Sequence, residues 1–315
     1  MPSQSNCSER WELDMAEKKK SLKVRRFKNK RLLGAGSRLN RKSSGDFLML
    51  LLVAIMAAFS FFPLLMSIGM ALKPVNELFY FPPKLLPEKP TLDNFRMLLS
   101  LMQNTRVSFF RYAFNTVFMS LAVTVGHVLL ASMAADPLAK LKIPGIKLLN
   151  TMLMLSLMFV SAVTDVANYL TISWLGWLDT YWACIIPPMS ASLGLFIMRN
   201  YMTTIPDSML EAARIDGCSN FQIYWRIVMP LSRPAWLTVA ILIFQQVWSM
   251  DNTNYVYDEA LKTLPYALSQ ITSGALVRQG AGQAVGVLMM IVPAIVFMVN
   301  QTKIIETMAT SGMKE

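Results

Sequence analysis

The stretch FLMLLLVAIMAAFSFFPLLMSIGMAL, residues 47–72, runs for 26 residues without a charged side chain. A helix that crosses the hydrocarbon core of a bilayer needs about 20 mostly apolar residues. A polar segment of 46 residues precedes the stretch, whereas a secretory signal peptide has a shorter apolar core close to its start. The stretch therefore predicts a membrane-spanning helix.

Further charge-free runs of 17 to 24 residues follow along the chain. They cover residues 112–135, 148–164, 180–198, 234–250 and 279–302. Only 16% of the 315 residues are charged, against about a quarter in a soluble domain. We therefore predict an all-α membrane protein with six transmembrane helices that passes the cell membrane several times. This composition excludes a disordered chain, a secreted disulfide scaffold and an ordinary cytosolic enzyme.

The basic residues predict the orientation of these helices. With the N-terminus inside, the inside segments 1–46, 136–147, 199–233 and 303–315 hold 22 of the 30 Lys and Arg residues. Cytoplasmic loops carry such an excess, so we expect an N-in/C-in topology. Residues 1–46 form a basic cytoplasmic tail ahead of a transmembrane domain over 47–315. We interpret the tail as a topology signal beside anionic lipid rather than a nucleic-acid site.

The inside segment 199–233 carries the start and stop signals of a short helix. Pro206 suits a first helical position, and Thr204 and Asp207 have the spacing of a capping box. Gly217 is placed where a helix ends in a left-handed residue. We therefore predict a short cytoplasmic helix that ends at a glycine turn.

A second short helix is predicted directly after that turn. Ser219 and Gln222 have the spacing of another capping box, and Pro230 ends the helix. The first helix presents small residues beside carboxylates, which let another backbone approach closely and accept its donors. We interpret the pair as a docking element for another protein. A helix lying on lipid would carry more Lys and Arg than this balanced segment does.

The sequence EAARIDG at residues 211–217, followed by IVMP at 227–230, resembles the EAA loop of ABC importer permeases. The family pattern is Glu-Ala-Ala, three residues, Gly, nine residues, Ile, one residue, Leu-Pro, and Met229 stands here in place of Leu. The resemblance implies a cytoplasmic coupling loop that contacts an ATPase. The residues that would carry this coupling are Glu211, Ala212, Ala213, Asp216, Gly217, Ile227 and Pro230.

Other short motifs resemble the carbohydrate branch of the same family. They are ALKP at 71–74, FPP at 81–83, PTLDNF at 90–95, Asn115-Thr116, Leu264-Pro265 and ETMATSG at 306–312. The resemblance covers roughly residues 46–315 and is closest to the maltose-permease type with six spans. It implies the type I ABC importer permease fold and transport of a sugar or oligosaccharide.

The resemblance also implies partners. Permeases of this kind pair with a second homologous permease and two ATPase subunits, and an extracytoplasmic solute-binding protein delivers the solute. The chain contains no GxxxxGK(S/T) motif for nucleotide phosphates. We therefore expect no enzyme activity and no bound cofactor in this chain, and we expect ATP and Mg to bind the partner ATPase. A single histidine and three scattered cysteines likewise predict no catalytic residue and no metal site.

Polar residues inside the predicted spans are candidates for the substrate path. They are Asn115, Gln245, Gln246 and Trp248. Such groups face either a cavity or another helix, and the sequence leaves both interpretations open. The single histidine, His127, is interpreted as a packed or hydrogen-bonded residue rather than a proton relay.

The outer segment 251–278 resembles the family loop that reaches the binding protein. Its candidate contact residues are Asp251, Asn252, Asn254, Tyr255 and Tyr257. Ordinary loop chemistry is the alternative, because turns favour the same residue types.

Three other functions remain open at this stage. The chain could transport peptides or another polar solute, act as a passive channel, or be a membrane-embedded enzyme. An enzyme needs clustered catalytic groups, which the predicted spans lack, and a channel would not explain the EAA pattern. The sequence names neither the solute nor the partner permease.

Overall fold

The computed structural model describes residues 44–311, apart from 79, 81–83, 85, 104–106, 142–143, 160 and 274–278. Only the backbone is described for residues 300–311. The predicted basic tail up to residue 43, the FPP motif and the side chains of the motif at 306–312 therefore lie outside the described residues.

All regular secondary structure within the described residues is helical, which confirms the predicted all-α class. The first helices are α1 (Ser44–Leu72), α2 (Val75–Leu78), α3 (Asp93–Gln103), α4 (Phe109–Lys140), α5 (Ile146–Ser156), α6 (Ser161–Trp174), α7 (Tyr181–Met189) and α8 (Ser192–Thr203). The next are α9 (Asp207–Ile215), α10 (Asn220–Ile223), a π-helix (Tyr224–Val228), α11 (Met229–Leu231) and α12 (Arg233–Trp248). A 3-10 turn (Glu259–Leu261), α13 (Leu264–Thr272) and α14 (Gln279–Ser311) complete the described chain.

Four helical segments among the described residues are long and apolar enough to cross a membrane. They are Phe47–Leu72, Phe109–Lys140, Tyr181–Thr203 and Gln279–Val299. A fifth candidate is the pair Asn220–Leu231 and Arg233–Trp248, which meet at 75°. The predicted run 148–164 is divided between α5, which has 11 residues, and α6. The chain is therefore a multi-pass membrane protein, while the count of six spans stays a prediction.

Helix α4 is the centre of one compact unit of the chain. Residues 64–207 and 224–315 form this unit, and residues 1–63 with 208–223 form another. Within the unit formed by residues 64–207 and 224–315, α4 packs against α7, α8 and α12. Its buried positions recur three or four residues apart and include polar side chains. Large apolar residues cover its opposite face, as expected for a helix with its polar stripe turned toward other helices.

The end of α1 is fixed by a residue from the PTLDNF motif. The Asn94 amide donates to the carbonyl oxygens of Ala71 (2.8 Å) and Lys73 (2.7 Å). The last carbonyls of a helix have no partner within the helix, so this buried side chain supplies one. The ALKP motif at 71–74 and the PTLDNF motif at 90–95 are therefore in contact.

Candidate functional site: the coupling loop and the outer loop

The first helix of the loop, α9, begins at Asp207 and ends at a left-handed glycine. Gly217 has φ +81°, and the Cys218 N–H donates to the Ala213 carbonyl oxygen (3.0 Å). The predicted glycine turn is confirmed. The capping box at Thr204 is wrong, because that hydroxyl donates back to the Tyr201 carbonyl oxygen (2.8 Å) at the end of α8.

The second capping box is confirmed. The Gln222 N–H donates to the Ser219 hydroxyl (3.3 Å), and the Ser219 N–H donates to Gln222 Oε1 (3.0 Å). The helix then widens into the π-helix Tyr224–Val228. Pro230 has no N–H to donate to the carbonyl oxygen four residues before it. The regular series of α-helical hydrogen bonds is therefore interrupted at this point. Wide turns of this kind are often found at functional sites.

The predicted coupling residues divide into exposed and buried sets. Glu211, Ala212, Asp216, Gly217 and Pro230 are exposed, whereas Ala213 and Ile227 are buried. Ile215, which sequence reasoning missed, is 87% exposed and lies one helical turn after Glu211. Ile215 therefore adds an apolar side chain to the exposed face that Glu211 and Ala212 form on α9.

Both ends of the coupling loop are fastened to α4. At the start of the loop, the Lys140 ammonium donates to the Ile205 carbonyl oxygen and pairs with the Asp207 carboxylate (2.9 Å). After α10, the buried hydroxyls of Ser132 and Tyr224 lie 2.6 Å apart. These pairs could not be predicted from the sequence, since their members are far apart along the chain.

The opposite end of α4 holds the outer loop. The Asn115 amide donates to the carbonyl oxygens of Ala260 and Lys262 (both 2.9 Å), and the Tyr181 hydroxyl donates to Asn115 Oδ1 (2.9 Å). Asn115 is 0% exposed. The structure therefore places this predicted substrate-path residue behind the loop, as a support, and not on an open surface.

Asp179 fixes the middle of the outer loop. This residue has φ +62°, and its carboxylate accepts from the backbone N–H groups of Tyr257 (3.0 Å) and Asp258 (2.8 Å). Its own N–H donates to the Tyr255 carbonyl oxygen (2.9 Å). Burial raises the pKa of the Tyr255 hydroxyl, and the Asp165 carboxylate adds to the rise.

The predicted binding-protein contacts also divide by exposure. Asp251, Asn254 and Tyr257 are exposed, whereas Asn252 and Tyr255 are buried. The Asn252 amide donates to the Leu261 carbonyl oxygen (3.0 Å). The first three therefore lie at the surface of the loop, and the last two shape it from within.

We expect Asp179→Ala to loosen the outer loop. The change removes two charge-assisted hydrogen bonds, each contributing about 1.5–3 kcal/mol, and places alanine in a left-handed conformation. Amide hydrogen exchange at Tyr257 and Asp258 should speed up by at least about tenfold. Asp179→Asn is the matched control, because Asn tolerates this conformation and keeps an acceptor oxygen. Unchanged exchange in Asp179→Ala would show that the loop is held elsewhere.

The remaining substrate-path candidates lie at two different cavities. Gln246 lines a cavity of about 600 Å³ together with Asp251, Asn254 and Tyr255. Gln245 and Trp248 line a mainly apolar one of about 440 Å³ between α12 and α14. The Trp248 indole N–H donates to the Met289 carbonyl oxygen (2.9 Å). The neighbouring glutamines thus face different surroundings.

The helical bundle and the loop that carries the EAA pattern are those of a membrane permease subunit. Residues 32–309 match the family described as "Binding-protein-dependent transport system inner membrane component". The chain belongs to that family, which confirms the resemblance carried by the EAA pattern.

Individual relatives agree with this assignment. The chain is 31% identical to Protein LplC of Bacillus subtilis over 60% of its length and 62% of that protein. It is 25% identical to the galactooligosaccharides transport system permease protein GanQ of Bacillus subtilis, over 84% of its length and 94% of that protein. A bacterial ABC transporter involved in the import of the acidic polysaccharide alginate has a similar fold. The TM-score is 0.70 at 22% identity, over 82% of this chain and 98% of that one.

Proposed function

We propose that this chain is one of two permease subunits of an ABC importer that carries a sugar or oligosaccharide across the cell membrane. In this proposal six spans place both termini and the coupling loop in the cytoplasm. The segment 146–174 supplies the third span as a broken helix, and the bent pair 220–248 supplies the fifth. A solute-binding protein meets the outer loop, and a second permease completes the path.

The observation that carries the proposal is the coupling loop itself. An exposed face formed by Glu211, Ala212 and Ile215 belongs to a loop whose two ends are hydrogen-bonded to α4. A partner ATPase that binds ATP and Mg²⁺ docks on this face. Its closure moves the loop as a body and draws α4 with it, so that the path alternates between the two sides.

Helix α4 also explains how both sides of the membrane are linked. About 37 Å of helix separates Asn115 from Lys140, at 1.5 Å per residue. The first residue holds the outer loop and the second holds the start of the coupling loop. Motion of the coupling loop is therefore transmitted to the outer loop through helix α4.

Glu211→Arg tests the docking role. Reversing a carboxylate at an interface costs several kcal/mol when its partner is left unpaired, so the yield of co-purified ATPase in mild detergent should fall at least about tenfold. ATP hydrolysis stimulated by binding protein and solute should fall with it. The control is Glu88→Arg, an exposed carboxylate in the segment predicted to lie outside. If wild-type permease brings no ATPase with it, the proposed function is wrong.

A further inference from the structure

Two helix breaks and the end of a third helix meet at one cavity. The break between α7 and α8 contributes Pro187, Ser190 and Ser192 to its lining. The break between α5 and α6 contributes Ser156 and Phe159, and the end of α12 contributes Gln246.

These interruptions lie deep within the predicted membrane thickness. Ser190 and Ala191 lie near the middle of the candidate span Tyr181–Thr203. Non-helical backbone is tolerated at that depth only where it is buried in protein or lines a water-filled cavity. Broken helices in transporters commonly form the site where the solute binds. The cavity of about 600 Å³ also has the size of a small-molecule site.

The lining offers hydrogen-bonding groups and two negative charges. Hydroxyl and amide groups come from Ser190, Asn168 and Asn254, and carboxylates come from Asp165 and Asp251. The described lining residues include no Lys, Arg or His. Neither carboxylate takes part in an ion pair among the described residues.

We infer that this cavity is a solute site on the translocation path, and that Asp165 and Asp251 make it select neutral, hydroxyl-rich solutes against anionic ones. The inference rests on the proposed function and narrows its substrate class. Neutral saccharides offer hydroxyl donors to the two carboxylates, and charge-assisted bonds of this kind are stronger than neutral ones. A uronate or phosphate group would instead meet like charge from the Asp165 and Asp251 carboxylates.

The cavity charge can be measured without knowing the solute. The assembled complex is prepared with Ser190→Cys in a chain whose three natural cysteines are Ser. Thiol modification rates are then compared for a cationic trimethylammonium-ethyl and an anionic sulfonatoethyl methanethiosulfonate, each divided by its rate on free cysteine. We expect the cationic reagent to react at least about tenfold faster. In the Asp165→Asn/Asp251→Asn background the two rates should converge.

The control places the cysteine at Leu86, which is exposed and does not line the cavity. The two Asn substitutions should leave its reagent ratio unchanged. Equal reagent rates at Ser190→Cys, or a ratio that the Asn substitutions do not alter, would overturn the inference. ATP hydrolysis stimulated by binding protein is recorded on the same samples. If stimulated ATP hydrolysis is normal but the two reagents react at equal rates, the solute site is rejected and the proposed function is kept. If the complex contains no ATPase, the proposed function is rejected.

Discussion

Gly217→Pro should abolish solute uptake while leaving the permease in the membrane. Proline fixes φ near −65°, whereas Gly217 has φ +81° and donates its N–H to the Arg214 carbonyl oxygen (3.0 Å). The turn between α9 and α10 cannot form with proline at this position. We expect ATP-driven uptake in proteoliposomes to fall at least about a hundredfold, because the docking face loses its fixed geometry.

Two alanine variants separate the effect of backbone strain on uptake from the effect of the glycine's place in the chain. Gly145 also has a left-handed φ, +91°, and neither glycine has an atom within 4 Å of an added Cβ. Alanine should therefore cost about 1–2 kcal/mol at either position. We expect Gly217→Ala to reduce uptake clearly and Gly145→Ala to leave it near wild type. Full solute-stimulated ATP hydrolysis and uptake in Gly217→Pro would remove the coupling role from this loop.

Gly194→Ala should strongly destabilise the core around α4. An added Cβ would lie 1.8 Å from Nε2 of His127, a contact that no side chain tolerates without movement. The imidazole has little room to move, because it is 1% exposed and its Nδ1–H donates to the Met189 carbonyl oxygen (2.8 Å). Overpacking of this kind costs about 1–3 kcal/mol or more. We expect a drop of several degrees in the melting temperature of the detergent-solubilised protein.

Gly286→Ala is the matched control for this packing effect. It replaces another helical glycine inside a span, but no atom lies within 4 Å of the added Cβ. Its melting temperature should stay the same or rise, since alanine favours the helix by about 0.5–1 kcal/mol. Combining Gly194→Ala with His127→Ala should recover part of the loss, because the colliding ring is gone. Equal melting temperatures for Gly194→Ala and Gly286→Ala would show that the helices are not packed as described.

The coupling loop was the part of the site most open to prediction. Its signals are local, since a glycine turn and the reciprocal bonds of Ser219 and Gln222 depend only on neighbouring residues. The error at Thr204 has a local cause as well. That hydroxyl belongs to the last turn of α8, where it bonds backward, and spacing alone does not show where the previous helix ends.

The substrate path was the least predictable part. Asn115, Gln245, Gln246 and Trp248 are all polar or aromatic residues within apolar runs, and their sequence context is alike. Only the tertiary structure shows that Asn115 and Trp248 donate to backbone carbonyls of distant segments and that Gln246 lines the larger cavity. The roles of the two glutamines in transport stay predictions.

The sequence by itself determined that the chain is an α-helical membrane protein with a loop of the EAA type at residues 199–233. Bilayer thickness imposes a length on every spanning helix, and a turn or cap is specified within a few residues, so both can be read locally. Only the tertiary structure decided which polar groups support the outer loop and which line the cavity. It also joined Lys140 to Asp207 and Ser132 to Tyr224. Pairings of this kind depend on how helices distant in sequence pack, because their two members meet only when those helices come together.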